Sequence, residues 1–105
     1  MVNLRTIRDF FIEAETEFDR AMFVRSIEKD LRREFRNVLP KKWLIFPQEP
    51  KVYLMSNSLC IEFPYYGSER YMMIMKGFKD VLSERFVFDS IYHGAKVTYV
   101  LKKPI

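Results

Sequence analysis

Basic residues are concentrated in one short part of the chain, residues 20–42. This stretch holds eight Lys and Arg against three acids, whereas residues 1–19 hold two against five and residues 43–105 hold eight against six. At about 100° per residue around a helix, most of these cations fall on the side opposite the apolar residues. The row comprises Arg25, Lys29, Arg32, Arg33 and Arg36, and Lys41 and Lys42 extend it. Aligned Arg and Lys side chains are the groups that bind nucleic-acid phosphates.

The same row is also typical of an ordinary solvated helix face, because an amphipathic helix places its polar residues away from the core. Glu28 and Arg32 have the i, i+4 spacing of a helix ion pair, and cations near a helix C-terminus suit its dipole. The net charge of +4 and the pI of about 9.3 favour a polyanion partner only mildly. Both interpretations stay open. The first functional hypothesis is a small, non-enzymatic module that binds DNA or RNA through backbone phosphates.

A second candidate surface lies in the methionine-rich stretch YMMIM at 71–75. Methionine adapts to irregular surfaces and is favoured where a protein contacts a partner. These consecutive apolar side chains cannot all face one sheet, so some apolar surface is left for another element or another molecule. The residues singled out are Tyr71, Met72, Met73 and Met75. The alternative function is therefore a protein-interaction module, such as a small inhibitor or adaptor encoded by a mobile element, or a homodimer.

Candidate catalytic groups are few. Cys60 is the only cysteine and His93 the only histidine, and Glu62 is a further acid–base group. Cys60 and His93 are a conceivable nucleophile–base pair. Glu62 and His93 with nearby Lys or Arg could form a metal-independent nuclease site, which makes a small nuclease or toxin-like enzyme the third hypothesis. The chain has no zinc-ligand spacing and no Gly-rich phosphate loop. The sequence therefore predicts no catalytic residues, no metal site and no cofactor.

The elements that must position these groups follow from hydrophobic periodicity. Apolar residues recur at helical spacing from Leu4 to Phe18 and again from Val24 to Val38. One helix of that length would run about 50 Å, too long for a compact domain of this size. The stretch TEFD at 16–19 has the spacing of a capping box. We therefore expect two helices, 4–14 and 17–38, with one long broken helix as the alternative.

Beyond Pro40 the pattern predicts strands. WLIF at 43–46 is followed by VYLM and LCIEF, which flank the turn residues SNS, and a second hairpin turns near His93-Gly94. Helical spacing returns at 69–84, where Ser68 is a plausible N-cap. The expected order is α-α-β-β-β-α-β-β, an α+β fold with four to five antiparallel strands and one inserted helix. We expect one domain over residues 1–105, helical in 1–40 and a sheet with its helix in 43–105.

The expected compartment is the cytoplasm. A single cysteine permits no intrachain disulfide, and the first residues lack the long apolar core of a secretory signal. No apolar run is long enough to span a bilayer, so no membrane partner is expected.

Overall fold

Three helices and four strands make up the computed structural model, which describes residues 4–36, 49–64, 69–94 and 96–105. The elements are α1 (Leu4–Glu13), α2 (Glu17–Arg36), β1 (Lys51–Met55), β2 (Ser58–Pro64), α3 (Glu69–Arg85), β3 (Phe86–His93) and β4 (Lys96–Pro104). The predicted α+β class is confirmed. The strand predicted at 43–46 and the last two residues of the predicted second helix lie outside the described residues.

The predicted break between the first two helices is confirmed at residues 14–16. The backbone N–H of Asp19 donates to Thr16 Oγ1 over 3.1 Å, and the N–H of Arg20 donates to the Thr16 carbonyl over 3.0 Å. A threonine in this position satisfies an N–H group that has no partner inside the helix. Thr16 is therefore the N-cap of α2, as the spacing of TEFD predicts.

The four described strands form an antiparallel sheet in the order β1-β2-β4-β3. Both predicted hairpins are confirmed: Met55 pairs with Ser58 in the first, and His93 pairs with Lys96 in the second. Each turn uses a left-handed residue, Ser56 at φ 55° and Gly94 at φ 60°. Because β4 inserts between β2 and β3, the two hairpins join through their central strands, and β1 and β3 are the edges of this sheet.

The helices pack against one face of the sheet. Successive residues of a strand point to opposite faces, and it is the odd-numbered residues of β2 and β4 that join the core. Phe63 is fully buried there, and its ring centroid lies 4.9 Å from that of Phe35 on α2 and 5.7 Å from that of Phe78 on α3. The core side chains of the sheet are Val52, Leu59, Ile61, Phe63, Phe86, Val97, Tyr99 and Leu101. Burial, with a smaller contribution from nearby Tyr92, raises the pKa of Tyr99 to about 12.

No helix in the described ranges is long and apolar enough to cross a membrane.

Candidate nucleic-acid interface on the second helix

Three cations of the predicted row stand free on the outer side of α2. Arg25, Lys29 and Arg33 are exposed, and across the described part of the chain no ion pair involves any of them. They are four residues apart, so they form one row about 12 Å long at 1.5 Å per residue. The buried side of α2, formed by Ile27, Leu31 and Phe35, fixes their direction because it faces the core. We call Arg25, Lys29 and Arg33 the outer cations.

Arg32 and Arg36 are engaged within the protein. Arg32 lies 3.2 Å from a carboxylate oxygen of Glu28 and 3.4 Å from one of Glu49, and its Nε donates to the Pro50 carbonyl over 3.1 Å. Arg36 donates to Glu49 Oε1 over 2.6 Å. The i, i+4 pair of Glu28 and Arg32 is the one that the sequence predicts. Much of the charge on these two arginines is therefore compensated inside the molecule.

These contacts belong to a larger set that holds α2 along the edge of β1. Glu28 Oε2 accepts a hydrogen bond of 2.8 Å from the N–H of Val52, and Arg20 Nη2 donates to the Ser56 carbonyl over 3.2 Å. With the bond from Arg32 to Pro50, side chains of α2 bind backbone groups before, within and after β1. Part of the cationic row therefore has a structural role.

The five helix cations nevertheless keep a positive balance. Together with Glu28 they line one shallow depression on the surface. Five positive charges against the carboxylates of Glu28 and Glu49 leave a net charge of +3. Lys41 and Lys42, predicted to extend the row, lie outside the described residues. Sequence reasoning missed Glu49, and no local pattern could have found it because it is 13 residues from Arg36 in the chain.

An aromatic ring lies on the same side of α2 as the outer cations. The sequence pattern includes Phe18 among the apolar residues that recur at helical spacing, but its side chain does not join the core. The chain breaks at residues 14–16, and Phe18 lies on α2 with 74% of its surface exposed. It is seven residues before Arg25, which is two turns earlier on the same side of the helix. The outer side of α2 thus combines an exposed ring with three free cations.

The methionine-rich surface is smaller than the sequence suggests. Tyr71 is fully buried in the core, and Met75 is 5% exposed, so that only its edge reaches this surface. Met72 is half-buried, and Met73 is 69% exposed. Met72 and Met73 line a depression with the exposed ring of Tyr92, beside Lys76 and Lys79. Glu69 also lines this depression, so two cations and one acid leave a net charge of +1 at the side of its apolar centre.

Of the acid–base candidates, the structure brings Glu62 and His93 to the sheet face opposite the helices. Lys96 lies between them, since it pairs with His93 in the strand register and its Nζ is 3.8 Å from Glu62. Cys60 pairs instead with Val100, four residues along β4 from Lys96, a separation of about 13 Å. Burial also raises the pKa of the Cys60 thiol. The thiol is thus protonated at neutral pH and distant from His93.

Within the described ranges, no group of three or more His, Cys, Asp or Glu side chains is placed to hold a metal ion. No known protein family matches the sequence, and no curated protein or solved structure matches it either.

Proposed function

We propose that this protein binds nucleic acid through the outer side of α2, with the outer cations as its phosphate contacts. The observation that carries the proposal is the separation of the row into two groups. Arg32 and Arg36 are paired with carboxylates, whereas Arg25, Lys29 and Arg33 are aligned and have no ion pair within residues 4–36, 49–64, 69–94 and 96–105. Arginine suits this task because its planar guanidinium can donate two hydrogen bonds to one phosphate.

The expected target is recognised by its backbone, with little base selection. Phosphate contacts fix the position of a protein on nucleic acid but carry no direct sequence information. The exposed ring of Phe18 adds a surface on which an unpaired base can stack, and such stacking tolerates all four bases. Probes for binding should therefore include single strands and duplexes of arbitrary sequence.

The first prediction concerns salt. In a plot of log affinity against log salt, three phosphate contacts give a slope of about −2.7 for duplex DNA and about −2.1 for single strands. Between 50 and 200 mM salt, affinity should therefore fall about 40-fold for a duplex and about 20-fold for a single strand. Fluorescence anisotropy with labelled single-stranded and duplex oligonucleotides measures this slope. A flat salt dependence, or the absence of binding to all probes at 50 mM salt, would contradict the proposal.

A second candidate function is supported by the exposed Met73 and Tyr92. Lys76, Lys79 and Glu69 also line their depression, with a net charge of +1, which fits an apolar segment of another protein with an acidic residue beside it. Apolar contacts weaken little in salt, so such a partner stays bound to the immobilised protein at about 0.5 M salt.

We expect Met73→Glu to release that partner, because the substitution places a charge at the centre of the apolar contact. Arg25→Glu, which changes a charge on α2 instead, is the control and should retain the partner. Quantitative mass spectrometry of both eluates measures the difference. If both variants retain the same proteins, the Met73 depression is not the contact.

A further inference from the structure

The two edges of the sheet differ in protection. At β1, side chains of α2 form hydrogen bonds with the Val52 N–H and with the carbonyls of Pro50 and Ser56. At β3, no hydrogen bond between the outward backbone groups and any other element is found in the described part of the chain. A free edge is a template for another strand, and proteins commonly protect it with Lys, Pro or a covering element.

The sequence of β3 contains none of these protecting residues. FVFDSIYH has no Lys and no Pro, and its one acid, Asp89, is paired with Lys102 at 2.8 Å. Ile91 is 50% exposed and Val87 and Tyr92 are exposed as well. An eight-residue edge strand with exposed apolar side chains, whose outward backbone groups have no partner among the described residues, is suited to adding a further strand. These features point to an extended partner.

We propose that β3 pairs antiparallel with β3 of a second copy of this chain, joining two sheets across a two-fold axis. This inference is independent of nucleic-acid binding. In a hairpin closed by a two-residue turn, the closing pair is hydrogen-bonded, so alternate residues direct their N–H and C=O outward. With His93 and Lys96 as the closing pair, the outward residues of β3 are Phe88, Ser90 and Tyr92. Hydrogen bonds between the two copies join outward residues of one strand to outward residues of the other. Because outward residues alternate along β3, the two-fold axis then passes through a residue and not between two residues.

The charged side chains of β3 decide through which residue the two-fold axis passes. An axis at Asp89 would place two carboxylates opposite each other, which is unfavourable. An axis at Ser90 would place the carboxylate of Asp89 opposite the apolar side chain of Ile91 of the second copy. An axis at Ile91 pairs the two Ile91 side chains and places Asp89 opposite the imidazole of His93, twice by symmetry. Asp89 is 62% exposed, so its carboxylate can accept a second donor beside Lys102. The register centred on Ile91 is therefore the favoured one.

The first test is mass in solution. Sedimentation at about 100 μM should give twice the 12.7 kDa of one chain. Ile91→Lys should raise the dimer dissociation constant at least about a hundredfold, since it replaces an apolar pair by two like charges. Met55→Lys is the matched control: Met55 is 54% exposed on β1, the other edge strand, and its substitution should leave the mass unchanged. Circular dichroism confirms that both variants are folded.

The second test fixes the register. Residues opposite each other in a non-hydrogen-bonded antiparallel pair have Cα atoms about 4.5 Å apart, within disulfide range. Ile91→Cys should therefore form an intermolecular disulfide on mild oxidation, whereas Ser90→Cys should not. The native Cys60 is buried and does not interfere.

Three results would overturn the inference. They are a monomeric wild-type protein at 100 μM, equal dissociation by Ile91→Lys and Met55→Lys, and a crosslink at Ser90→Cys without one at Ile91→Cys. A different protein that binds the wild type and is lost from Ile91→Lys, with no dimer present, would likewise show that the strand serves another partner.

Discussion

Reversing two outer cations, Arg25→Glu with Arg33→Glu, is expected to weaken nucleic-acid binding at least about a hundredfold at 50 mM salt. Both side chains are exposed and have no ion pair with any residue that the structure describes, so no such pair compensates their charge there. Two of the three phosphate contacts become repulsive. For duplex DNA, the slope of log affinity against log salt should therefore become shallower, from about −2.7 to about −0.9 or closer to zero. Anisotropy titrations at several salt concentrations measure both quantities.

The matched control changes the net charge by the same amount elsewhere. Lys76 on α3 and Lys103 on β4 are exposed and have no ion pair among the described residues. Lys76→Glu with Lys103→Glu therefore tests net charge alone. We expect it to weaken binding much less than the variant of α2, because these lysines lie on other elements and salt screens exposed charges that do not contact the phosphates. Equal losses in the two double variants would show that net charge, and not the face of α2, controls binding.

Substitution of Arg32 tests whether this arginine stabilises the fold or contacts nucleic acid. Its replacement by Gln leaves the Pro50 carbonyl and the carboxylates of Glu28 and Glu49 with fewer donors. This half-buried contact is expected to cost about 1 kcal/mol of stability, discounted for solvent screening. The affinity of the folded protein should fall much less than in the Arg25 and Arg33 variant. An affinity loss as large as in that variant would mean that Arg32 contacts phosphate directly.

The local elements of this fold could be predicted from sequence because local physics sets them. The N-cap at Thr16 and the hairpin turns at Ser56 and Gly94 depend on neighbouring residues. Hydrophobic periodicity placed both ends of α3 to within one residue, at Glu69 and Arg85. The exposure of Phe18 could not be predicted, because apolar spacing continues across the helix break and does not show the direction in which the first turn of the next helix points.

The candidate site could be predicted only in part, because some of its ion pairs join residues that are far apart in the sequence. The sequence identifies the row on α2 and the local pair of Glu28 and Arg32. It cannot show that Glu49 returns to Arg32 and Arg36, which divides the row into engaged and outer cations. The strand order is a tertiary property too, so the free edge of β3 cannot be identified from its own residues.

Phe63→Ala is expected to have the largest effect on stability, a loss of about 3–5 kcal/mol. Phe63 is fully buried, and its ring contacts three elements through Phe35 on α2, Phe78 on α3 and Tyr99 on β4, with centroid distances of 4.9, 5.7 and 5.7 Å. Truncation removes the transfer free energy of the ring, leaves a cavity and ends three aromatic contacts. Urea unfolding at 25 °C measures the change in the free energy of unfolding.

The chain provides a control of the same residue type. Phe18→Ala makes the same chemical change at a side chain that is 74% exposed, and its effect on unfolding should stay within about 0.5 kcal/mol. Phe63→Leu keeps most of the volume and is expected to cost about 1.5 kcal/mol. A loss below about 1.5 kcal/mol in Phe63→Ala, or an equal loss in Phe18→Ala, would contradict the packing seen around Phe63.

Phe63→Ala and Phe18→Ala also test whether stability and nucleic-acid binding depend on different sides of α2. Phe63 holds α2 on the sheet through Phe35, but it lies on the side of the helix away from the outer cations. Under conditions where Phe63→Ala is still folded, its nucleic-acid affinity should therefore equal that of the wild type. Phe18→Ala should show the opposite behaviour, with unchanged stability and about a 5- to 100-fold loss for single strands if an unpaired base stacks on its ring. Stability and binding thus depend on opposite sides of one helix.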